Sequence, residues 1–324
     1  MYRIRKIVKW TSIVIASLFT VLVVSAFGYE HLSRLNSKLN YSPEGEMVMM
    51  EGHRLHYLLE GDKGPTVVFE SGLDTRGHLS WYKVQPELNN FATTLSYDRA
   101  GILWSERGTA PKSLSEISQQ LTSLLNAIDA PTPYIVVGHS AAGIYLRKFI
   151  KDNESSIAGI ILVDASHPDQ TLARPPKLPS PLMKLALGSL GLMRLTMPSE
   201  MPNTGPDDRI NSVGNALIHR SYESLFEEGA GMLEMSEQAA RIESFGDIPL
   251  VVISATAYKR SLDSMNEEAR ELLKNRERLQ SDLLNLSSNS RQINAPNSNH
   301  YVQIDQPEIV ISAIKEMIDV CCLK

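Results

Sequence analysis

The chain has only two cysteines among its 324 residues, and these, Cys321 and Cys322, are adjacent and close to the C-terminus. Two neighbouring cysteines cannot build a disulfide framework, and they cannot supply the paired C-x-x-C motifs of a zinc site. Aromatic residues are also few, at 6%, whereas 43% of the residues are hydrophobic and 21% are charged. This composition is typical of a globular protein and excludes a disordered or fibrous one.

The chain also lacks an excess of basic residues, since 32 Lys and Arg stand against 37 Asp and Glu, for a net charge of −5. Four of the basic residues precede residue 10, and the first acidic residue is Glu30. The rest of the chain is therefore more acidic than the net charge suggests. A nucleic-acid-binding domain would show a basic face instead, so we expect no nucleic-acid partner.

The N-terminus has the pattern of a membrane-spanning segment. Residues 10–29 are 20 consecutive positions without a formal charge, and about 20 apolar residues cross a bilayer as a helix. Basic residues before this run, and none directly after it, place the N-terminus in the cytoplasm and the rest of the chain outside. We expect residues 1–29 to be a single anchor or, alternatively, a cleaved signal segment of a secreted protein. Residues 30–45 are predicted to form a short polar stalk.

From residue 46 onward, strand patterns alternate with helix patterns. The predicted strands cover residues 46–50, 54–60, 66–69, 93–97, 134–137, 157–163, 248–254 and 291–293. Several of these runs are almost continuously apolar, as in parallel strands covered on both faces. The sequence therefore predicts an α/β fold with a doubly wound, mostly parallel eight-stranded sheet and an antiparallel hairpin at one edge.

One segment interrupts the alternation. Residues 168–246 show no strand pattern, and eight of the 17 prolines lie between Pro168 and Pro206, which prevents a long helix there. The same segment holds six of the 12 methionines, which adapt to irregular apolar ligands. We therefore predict a helical lid at 168–246, inserted after the sixth strand between two parts of the core, 46–167 and 247–324. A helical insertion that packs only for stability is the alternative.

A candidate nucleophile follows the fifth predicted strand. Residues 138–143 read Gly-His-Ser-Ala-Ala-Gly, and a helix pattern begins directly afterwards. In this context a G-x-S-x-G motif indicates a nucleophile elbow, which raises the serine hydroxyl above the sheet edge. Ala142 stands where the second glycine is expected. The elbow would make Ser140 the nucleophile and direct the backbone N–H of Ala141 towards a developing oxyanion.

A serine nucleophile needs a base, and in this kind of fold the chain order is serine, acid, histidine. Three histidines follow Ser140, namely His167, His219 and His300. His300 lies in a polar loop between the last strand and the last helix, and it is our candidate base. For the acid, Asp164 directly follows the sixth strand, whereas Asp263 lies farther beyond the seventh. A rigid position favours Asp164, and Asp263 is the alternative acid.

The second oxyanion donor is expected in the loop after the third strand. There the chain reads Glu70-Ser71-Gly72-Leu73. Gly72 allows the backbone to turn inward, which makes the N–H of Leu73 the candidate donor. The pair Asp98-Arg99, after the next strand, is expected to tie loops together rather than to act on a substrate.

Together these segments resemble the α/β-hydrolase superfamily, in particular its lid-bearing members with a Tyr-Asp-Arg-Ala-Gly motif. The motifs that carry the resemblance lie at residues 70–73, 97–101, 138–143, 162–168 and 300–301, and the resemblance covers about residues 47–318. It implies a serine hydrolase without a cofactor or a metal, with Ser140 as nucleophile and His300 as base. Some superfamily members carry the acid after the sixth strand, which supports Asp164. A serine nucleophile argues against dehalogenase and epoxide hydrolase chemistry, for which relatives use aspartate.

The sequence thus predicts a carboxylesterase or lipase-like enzyme that acts on a small-molecule acyl substrate at a membrane. A peptidase or amidase of the same fold is an alternative. It would need a site for a substrate amine, and the predicted lid offers five glutamates that we expect on a solvated helix face: Glu223, Glu227, Glu228, Glu234 and Glu237. A binding protein that has the fold without catalysis is the third possibility.

Overall fold

The computed structural model describes residues 2–50, 52–108, 113–173, 180–196, 208–259 and 265–322. The strands are β1 (Glu46–Met49), β2 (Arg54–Glu60), β3 (Thr66–Glu70), β4 (Thr93–Tyr97), β5 (Tyr134–His139), β6 (Ile157–Val163), β7 (Leu250–Ala255) and β8 (Ser290–Ala295). The α-helices of the described residues are α1 (Tyr2–Asn40), α2 (Leu114–Ala127), α3 (Ala142–Asp152), α4 (Pro168–Ala173), α5 (Pro181–Ser189), α6 (Leu192–Thr196), α7 (Asp208–Ala240), α8 (Glu267–Asp282), α9 (Val302–Asp305) and α10 (Pro307–Cys322).

The strands form one eight-stranded sheet in the order β1-β2-β4-β3-β5-β6-β7-β8. Strand β2 runs antiparallel to both of its neighbours, β1 and β4. All other neighbouring strands are parallel. The predicted doubly wound, mostly parallel sheet with a hairpin at one edge is therefore confirmed.

Helices cover both faces of this sheet, which explains why its strands are apolar at nearly every position. Successive side chains of a strand point to opposite faces. Val68 and Val136 pack with residues of α2 and α3 on one face. Val67 and Val137 pack with residues of α10 on the other face. Burial on both sides leaves the carboxyl ends of the parallel strands as the edge where polar groups can gather.

Helix α2 begins with the capping box that its sequence encodes. The Ser113 hydroxyl accepts a hydrogen bond from the Glu116 N–H at 3.3 Å, and the Glu116 carboxylate accepts one from the Ser113 N–H at 2.9 Å. Two otherwise unpaired donors of the first turn are thus satisfied. The apolar stripe of α2 is buried against the sheet, including Leu121 and Leu124.

The described residues between β6 and β7 form helices and no strand. In the proline-rich part, the residues that the structure describes form the short helices α4, α5 and α6, of six, nine and five residues. Beyond it, α7 runs for 33 residues and packs against α3 and α1. We call residues 168–246 the insertion.

Helix α1 has 39 residues, which corresponds to a length of about 58 Å. No residue of its most apolar stretch is buried, and its length and hydropathy are those of a membrane-spanning helix or a signal sequence. Residues 30–40, which we expected to form a stalk, continue the helix and pack on the insertion. There Glu30 and Ser37 are buried, with Glu30 Oε2 2.7 Å from Arg194 Nε and Ser37 Oγ donating to the Ala216 carbonyl at 2.7 Å.

Candidate active site

Ser140 lies in a sharp turn between β5 and α3. Its φ of +54° is in the left-handed region, which is uncommon for a residue with a side chain. Two backbone hydrogen bonds hold this turn against β6 and the loop that follows it. The Ser140 N–H donates to the Val163 carbonyl at 3.2 Å, and the Ser166 N–H donates to the Ser140 carbonyl at 2.7 Å. The Ser140 hydroxyl therefore lies at the carboxyl edge of the sheet, and these two hydrogen bonds hold the backbone that carries it.

The glycines around Ser140 are required by close packing. A Cβ on Gly143 would lie 2.6 Å from the Ser166 carbonyl oxygen. A Cβ on Gly138 would lie 2.7 Å from Leu146 Cδ1 and 3.0 Å from the Ala142 methyl group. The methyl group of Ala142, the departure from the usual motif, fits because Gly138 has no side chain.

His300 connects Ser140 to Asp164. Its Nε2 lies 2.9 Å from Ser140 Oγ, and its Nδ1 lies 2.7 Å from Asp164 Oδ2. The imidazole is 47% exposed, so solvent reaches it, whereas the Asp164 side chain is 1% exposed. The loop that carries His300 is held by Asp305, whose Oδ2 accepts the Asn299 N–H at 3.0 Å. The structure thus brings three of the predicted site residues into one hydrogen-bonded chain.

Asp164 follows β6 directly and also has a positive φ, +42°. While Oδ2 faces His300, Oδ1 accepts the Ala255 N–H at 3.0 Å and a hydrogen bond from the Arg276 guanidinium. Burial by itself would raise the pKa of Asp164, but the hydrogen bonds and the positive charge of Arg276 outweigh it and hold that pKa below its ordinary value. The carboxylate is therefore ionised at neutral pH.

The other candidates from the sequence do not join this chain of contacts. Asp263, the alternative acid, lies outside the described residues. His167 is bound by Asp282, with Nε2 3.0 Å from Oδ2. His219 lies in the insertion beside Arg194, with Nδ1 3.0 Å from the guanidinium.

Sequence reasoning missed two supporting residues, His139 and Arg276. His139 Nε2 donates to the His300 carbonyl at 2.9 Å, and the two imidazole rings are 4.6 Å apart. Burial, with the nearby imidazole of His300, lowers the pKa of His139 to about 3. This ring is therefore neutral, and it fixes the backbone of the His300 loop. The position of His139 directly before Ser140 could have indicated from the sequence that it lies at the site. The sequence around Arg276 contains no comparable indication.

The loop after β3 approaches Ser140 closely. A Cβ on Gly72 would lie 2.8 Å from Ser140 Cβ and 3.3 Å from its Oγ. Only glycine allows this approach, which brings the backbone of Leu73 near the hydroxyl. Among the backbone hydrogen bonds of the described residues, none uses the N–H of Leu73 or Ala141 as donor. Both N–H groups are therefore available to an acceptor.

Arg99 ties this loop to the insertion. It is 2% exposed, and its Nη1 and Nη2 donate to the carbonyls of Ser71 and Gly72 at 2.8 and 2.7 Å. The same guanidinium binds two buried carboxylates, Glu70 at 2.5 Å and Glu228 at 2.9 Å. The expectation that Glu228 lies on a solvated helix face is wrong, because its carboxylate is buried to balance the charge of Arg99.

Comparisons with known proteins agree with this architecture. Residues 67–313 match the profile of the Alpha/beta hydrolase family. An uncharacterized protein of Bacillus subtilis, YqjL, is 26% identical over 263 residues, which span 81% of this chain and 87% of that protein.

Two solved enzymes share the fold at low identity. A thermophilic esterase from Thermogutta terrifontis aligns with a TM-score of 0.60 at 16% identity, over 86% of this chain and 99% of the esterase. The epoxide hydrolase CorEH aligns with a TM-score of 0.63 at 16% identity, over 85% and 98% of the two chains. The profile match covers well over half of the chain, and its residues build the sheet and the edge where Ser140 lies. The chain belongs to the alpha/beta hydrolase family.

Proposed function

We propose that this protein is a serine hydrolase that cleaves a carboxylic ester through an acyl-enzyme. In this proposal Ser140 is the nucleophile, His300 the general base and Asp164 the acid that orients the imidazole. The observation that carries it is the 2.9 Å contact between Ser140 Oγ and His300 Nε2, continued by the 2.7 Å contact between His300 Nδ1 and Asp164 Oδ2. These are the contacts that make a neutral serine nucleophilic.

The proposed reaction has two acyl-transfer steps. Ser140 Oγ attacks the acyl carbonyl while its proton moves to His300 Nε2, and the same proton then passes to the leaving alcohol as the ester bond breaks. Water, deprotonated by His300, attacks the acyl-serine and releases the acid, and Ser140 regains its proton. Asp164 stays ionised throughout, because its pKa is held low, and it stabilises the imidazolium that forms.

The negative charge of the tetrahedral intermediate needs preorganised donors. We assign this role to the backbone N–H groups of Ala141, at the start of α3, and of Leu73, in the loop that Gly72 brings against Ser140. One donor of this kind is typically worth about 2.7–4 kcal/mol in the transition state. The ties from Arg99 to the carbonyls of Ser71 and Gly72 support the loop that carries Leu73.

Three of the five glutamates considered for an amine site are already paired, which supports an ester over a substrate with a free amine. An amine would need an unpaired carboxylate near the site. Glu228 is committed to Arg99. Glu223 and Glu227 both pair with Arg107, at the surface. We therefore keep the ester as the proposed substrate class, with the insertion as the lid under which an apolar acyl group enters.

The apolar part of α1 is proposed to anchor the enzyme in a membrane, with the hydrolase domain on the extracytoplasmic side. The support is the exposed apolar surface of α1 and the four basic residues that precede it. A signal segment removed after export is the competing outcome.

Labelling with a fluorophosphonate, followed by mass-spectrometric mapping in separate membrane and soluble fractions, tests catalysis and anchoring together. We expect one labelled residue, Ser140, on an intact chain in the membrane fraction. If another residue is labelled, or if the folded protein is not labelled at all, the proposal of a serine hydrolase with Ser140 as nucleophile is contradicted. If the labelled chain is shortened and soluble, the proposal of a membrane anchor is contradicted. A panel of p-nitrophenyl esters against aminoacyl naphthylamides, with Ser140→Ala as the control, separates esterase from amidase. Absence of turnover and labelling alike would indicate a binding protein.

A further inference from the structure

A cleft of about 740 Å³ lies away from Ser140, between the last turns of α1, the β1-β2 hairpin and α7. The α1 residues that line it include Arg34, Leu35, Ser37 and Lys38, and Ser37 also holds the helix on α7 through its hydrogen bond to the Ala216 carbonyl. The cleft is thus formed by the same contacts that hold α1 on the hydrolase domain.

The cleft is positively charged on a domain that is acidic overall. Its walls include Arg34, Lys38, Arg54 and Arg220, with one carboxylate, that of Glu106. Glu106 is committed to Arg54, with Oε1 2.6 Å from Nη2. The residues that line the cleft therefore carry more positive than negative charge.

The carboxylate nearest to Arg34 does not restore the balance. Glu30 binds Arg34 at 2.8 Å and Arg194 at 2.7 Å, so one negative charge serves two guanidinium groups. In the part of the chain that the structure describes, no carboxylate forms an ion pair with Lys38 or Arg220. The charges of Asp98 and Glu106 act on Arg220 only from a longer distance. Arg220 is half-buried, and its Nη2 has only weak contacts with the carbonyls of Trp104 and Ser105, at 3.4 and 3.5 Å.

A partly desolvated guanidinium without a direct ion pair is costly, and a bound anion would lower that cost. The remaining walls are apolar and include Leu35, Trp104 and Leu217. An anion joined to apolar chains matches this lining better than a small free anion does.

The position of the cleft along α1 identifies the source of such an anion. Arg34 lies five residues, or about 8 Å of helix, beyond Tyr29, the last residue of the uncharged run. The polar layer on each side of a bilayer is about 5–8 Å thick. If the run spans the membrane, the Arg34 end of the cleft lies at the outer edge of the headgroup layer. Lys38, nine residues or about 14 Å beyond Tyr29, lies above that layer, so a headgroup that contacts it must rise from the bilayer into the cleft.

Helix α5 indicates independently that this side of the domain faces lipid. Arg34 Nη2 donates to the Gly188 carbonyl of α5 at 2.8 Å, so α5 lies beside the cleft. Three apolar side chains of α5 are largely exposed, Leu182 at 76%, Met183 at 50% and Leu185 at 58%. Exposed apolar residues on a short helix next to a spanning segment are typical of an element that lies in the membrane interface.

We propose that this cleft binds the anionic headgroup of a membrane phospholipid, with Lys38 and Arg220 as its principal contacts. The assignment to a lipid rests on the proposed anchoring by α1 but not on catalysis. The bound lipid would fix the hydrolase domain, and with it the insertion, at a set height and orientation above the bilayer.

The test uses the full chain, verified by intact mass, in a nonionic detergent. Short-chain phosphatidylglycerol, short-chain phosphatidylcholine and glycerol phosphate are titrated in turn, and binding is measured by isothermal calorimetry. We expect the acidic lipid to bind at least about tenfold more tightly than the other two, since only it combines the anion with apolar chains. Equal binding of the two lipids overturns a site for anionic headgroups. Glycerol phosphate binding as tightly as the acidic lipid overturns the assignment to a membrane lipid.

Matched variants locate the site. One double variant combines Lys38→Gln and Arg220→Gln. The control double variant combines Lys274→Gln and Arg278→Gln, and it removes the same charge from exposed positions of α8. We expect about 30-fold weaker binding for the first pair, because each basic residue near an anionic lipid contributes about fivefold, and less than about twofold for the second. Equal losses in both pairs overturn the site. The unfolding midpoints of all variants are measured without lipid to verify that each one folds. If Arg220→Gln lowers its midpoint, the binding test is repeated with Lys38→Gln alone, because Lys38 is exposed. No turnover is measured, so failure here is distinct from failure of the proposed reaction.

Discussion

Arg99 and Glu228 form a buried ion pair between the loop region at the carboxyl edge of the sheet and helix α7 of the insertion. The guanidinium Nη2 and Nε lie 2.9 and 3.0 Å from the two carboxylate oxygens, and the residues are 2% and 0% exposed. Although burial alone lowers the pKa of Arg99, Glu228 and Glu70 raise it well above its ordinary value, so the guanidinium stays charged. Because Arg99 also holds the carbonyls of Ser71 and Gly72, the backbone beside Ser140 depends on a residue of the insertion.

This relationship predicts different effects for two adjacent glutamates of α7. Glu228→Gln removes one of the two buried carboxylates that bind the Arg99 guanidinium, and we expect it to lower the free energy of unfolding by about 3 kcal/mol. It should also lower kcat by about tenfold or more with little change in KM, because an oxyanion donor acts mainly in the transition state. Steady-state kinetics on an ester and urea unfolding measure both effects.

Glu227→Gln is the matched control for that change. Its pair with Arg107 is partly exposed, at 50% and 32% of the two side chains, so solvent screens it and we expect less than about 0.5 kcal/mol of destabilisation. Equal effects of the two variants on kcat would show that the Arg99 ties do not position the loop.

The second prediction concerns the proposed nucleophile and base. Ser140→Ala and His300→Ala should each abolish ester turnover and fluorophosphonate labelling, because each removes one member of the 2.9 Å contact. Neither side chain is part of the buried core, so unfolding midpoints should change little. Near-normal activity of His300→Ala would contradict the assignment of the base.

The third prediction separates the two candidate acids. Asp164→Asn should lower kcat by about 10³- to 10⁴-fold, since an amide cannot hold the imidazole tautomer that accepts the serine proton. The variant also loses the charge that faces Arg276, so its unfolding midpoint must be measured beside its kinetics. Asp263→Asn should have little effect on kcat. The opposite ranking would assign the acid to Asp263.

The fourth prediction is a dependence of stability on acid pH. Asp98 is fully buried, with one carboxylate oxygen 2.9 Å from His56 Nδ1 and the other 2.9 Å from His78 Nδ1. Burial alone raises the pKa of Asp98, but the two imidazoles lower it well below 3.8. A group whose pKa is lower in the folded state stabilises the fold above its unfolded pKa, and that contribution is lost as the pH falls through the folded value. The free energy of unfolding should therefore decrease steadily below about pH 4.

Asp98→Asn should weaken this dependence and destabilise the protein by about 3 kcal/mol at neutral pH, because it removes the buried carboxylate that both imidazoles hydrogen-bond. Urea unfolding between about pH 6 and 2.5 measures both effects. Asp129→Asn, at an exposed left-handed position that asparagine tolerates, is the control. A pH slope in Asp98→Asn equal to that of the wild type would contradict the prediction.

The order and type of the core elements follow from local patterns. Apolar runs of four to seven residues, separated by helix patterns, suffice to predict a parallel sheet, because burial on both faces imposes that pattern on each strand separately. The position of Ser140 is also a local matter, since small residues on both sides are what a tight strand-to-helix turn requires. Chain order then indicates His300, because few histidines follow the serine.

The partners of Asp164 and of Arg99 were decided only by the tertiary structure. Asp164 and His300 are 136 positions apart, and Arg99 and Glu228 are 129 apart. Their contacts depend on how loops from separate strands approach one another at the sheet edge. A glutamate on an amphipathic helix has the same local pattern whether it faces water or a buried arginine. The sequence by itself therefore determined the sheet, its edge and the residue types near it. The fold decided which charges meet, since Coulomb energy and desolvation depend on distances in space rather than along the chain.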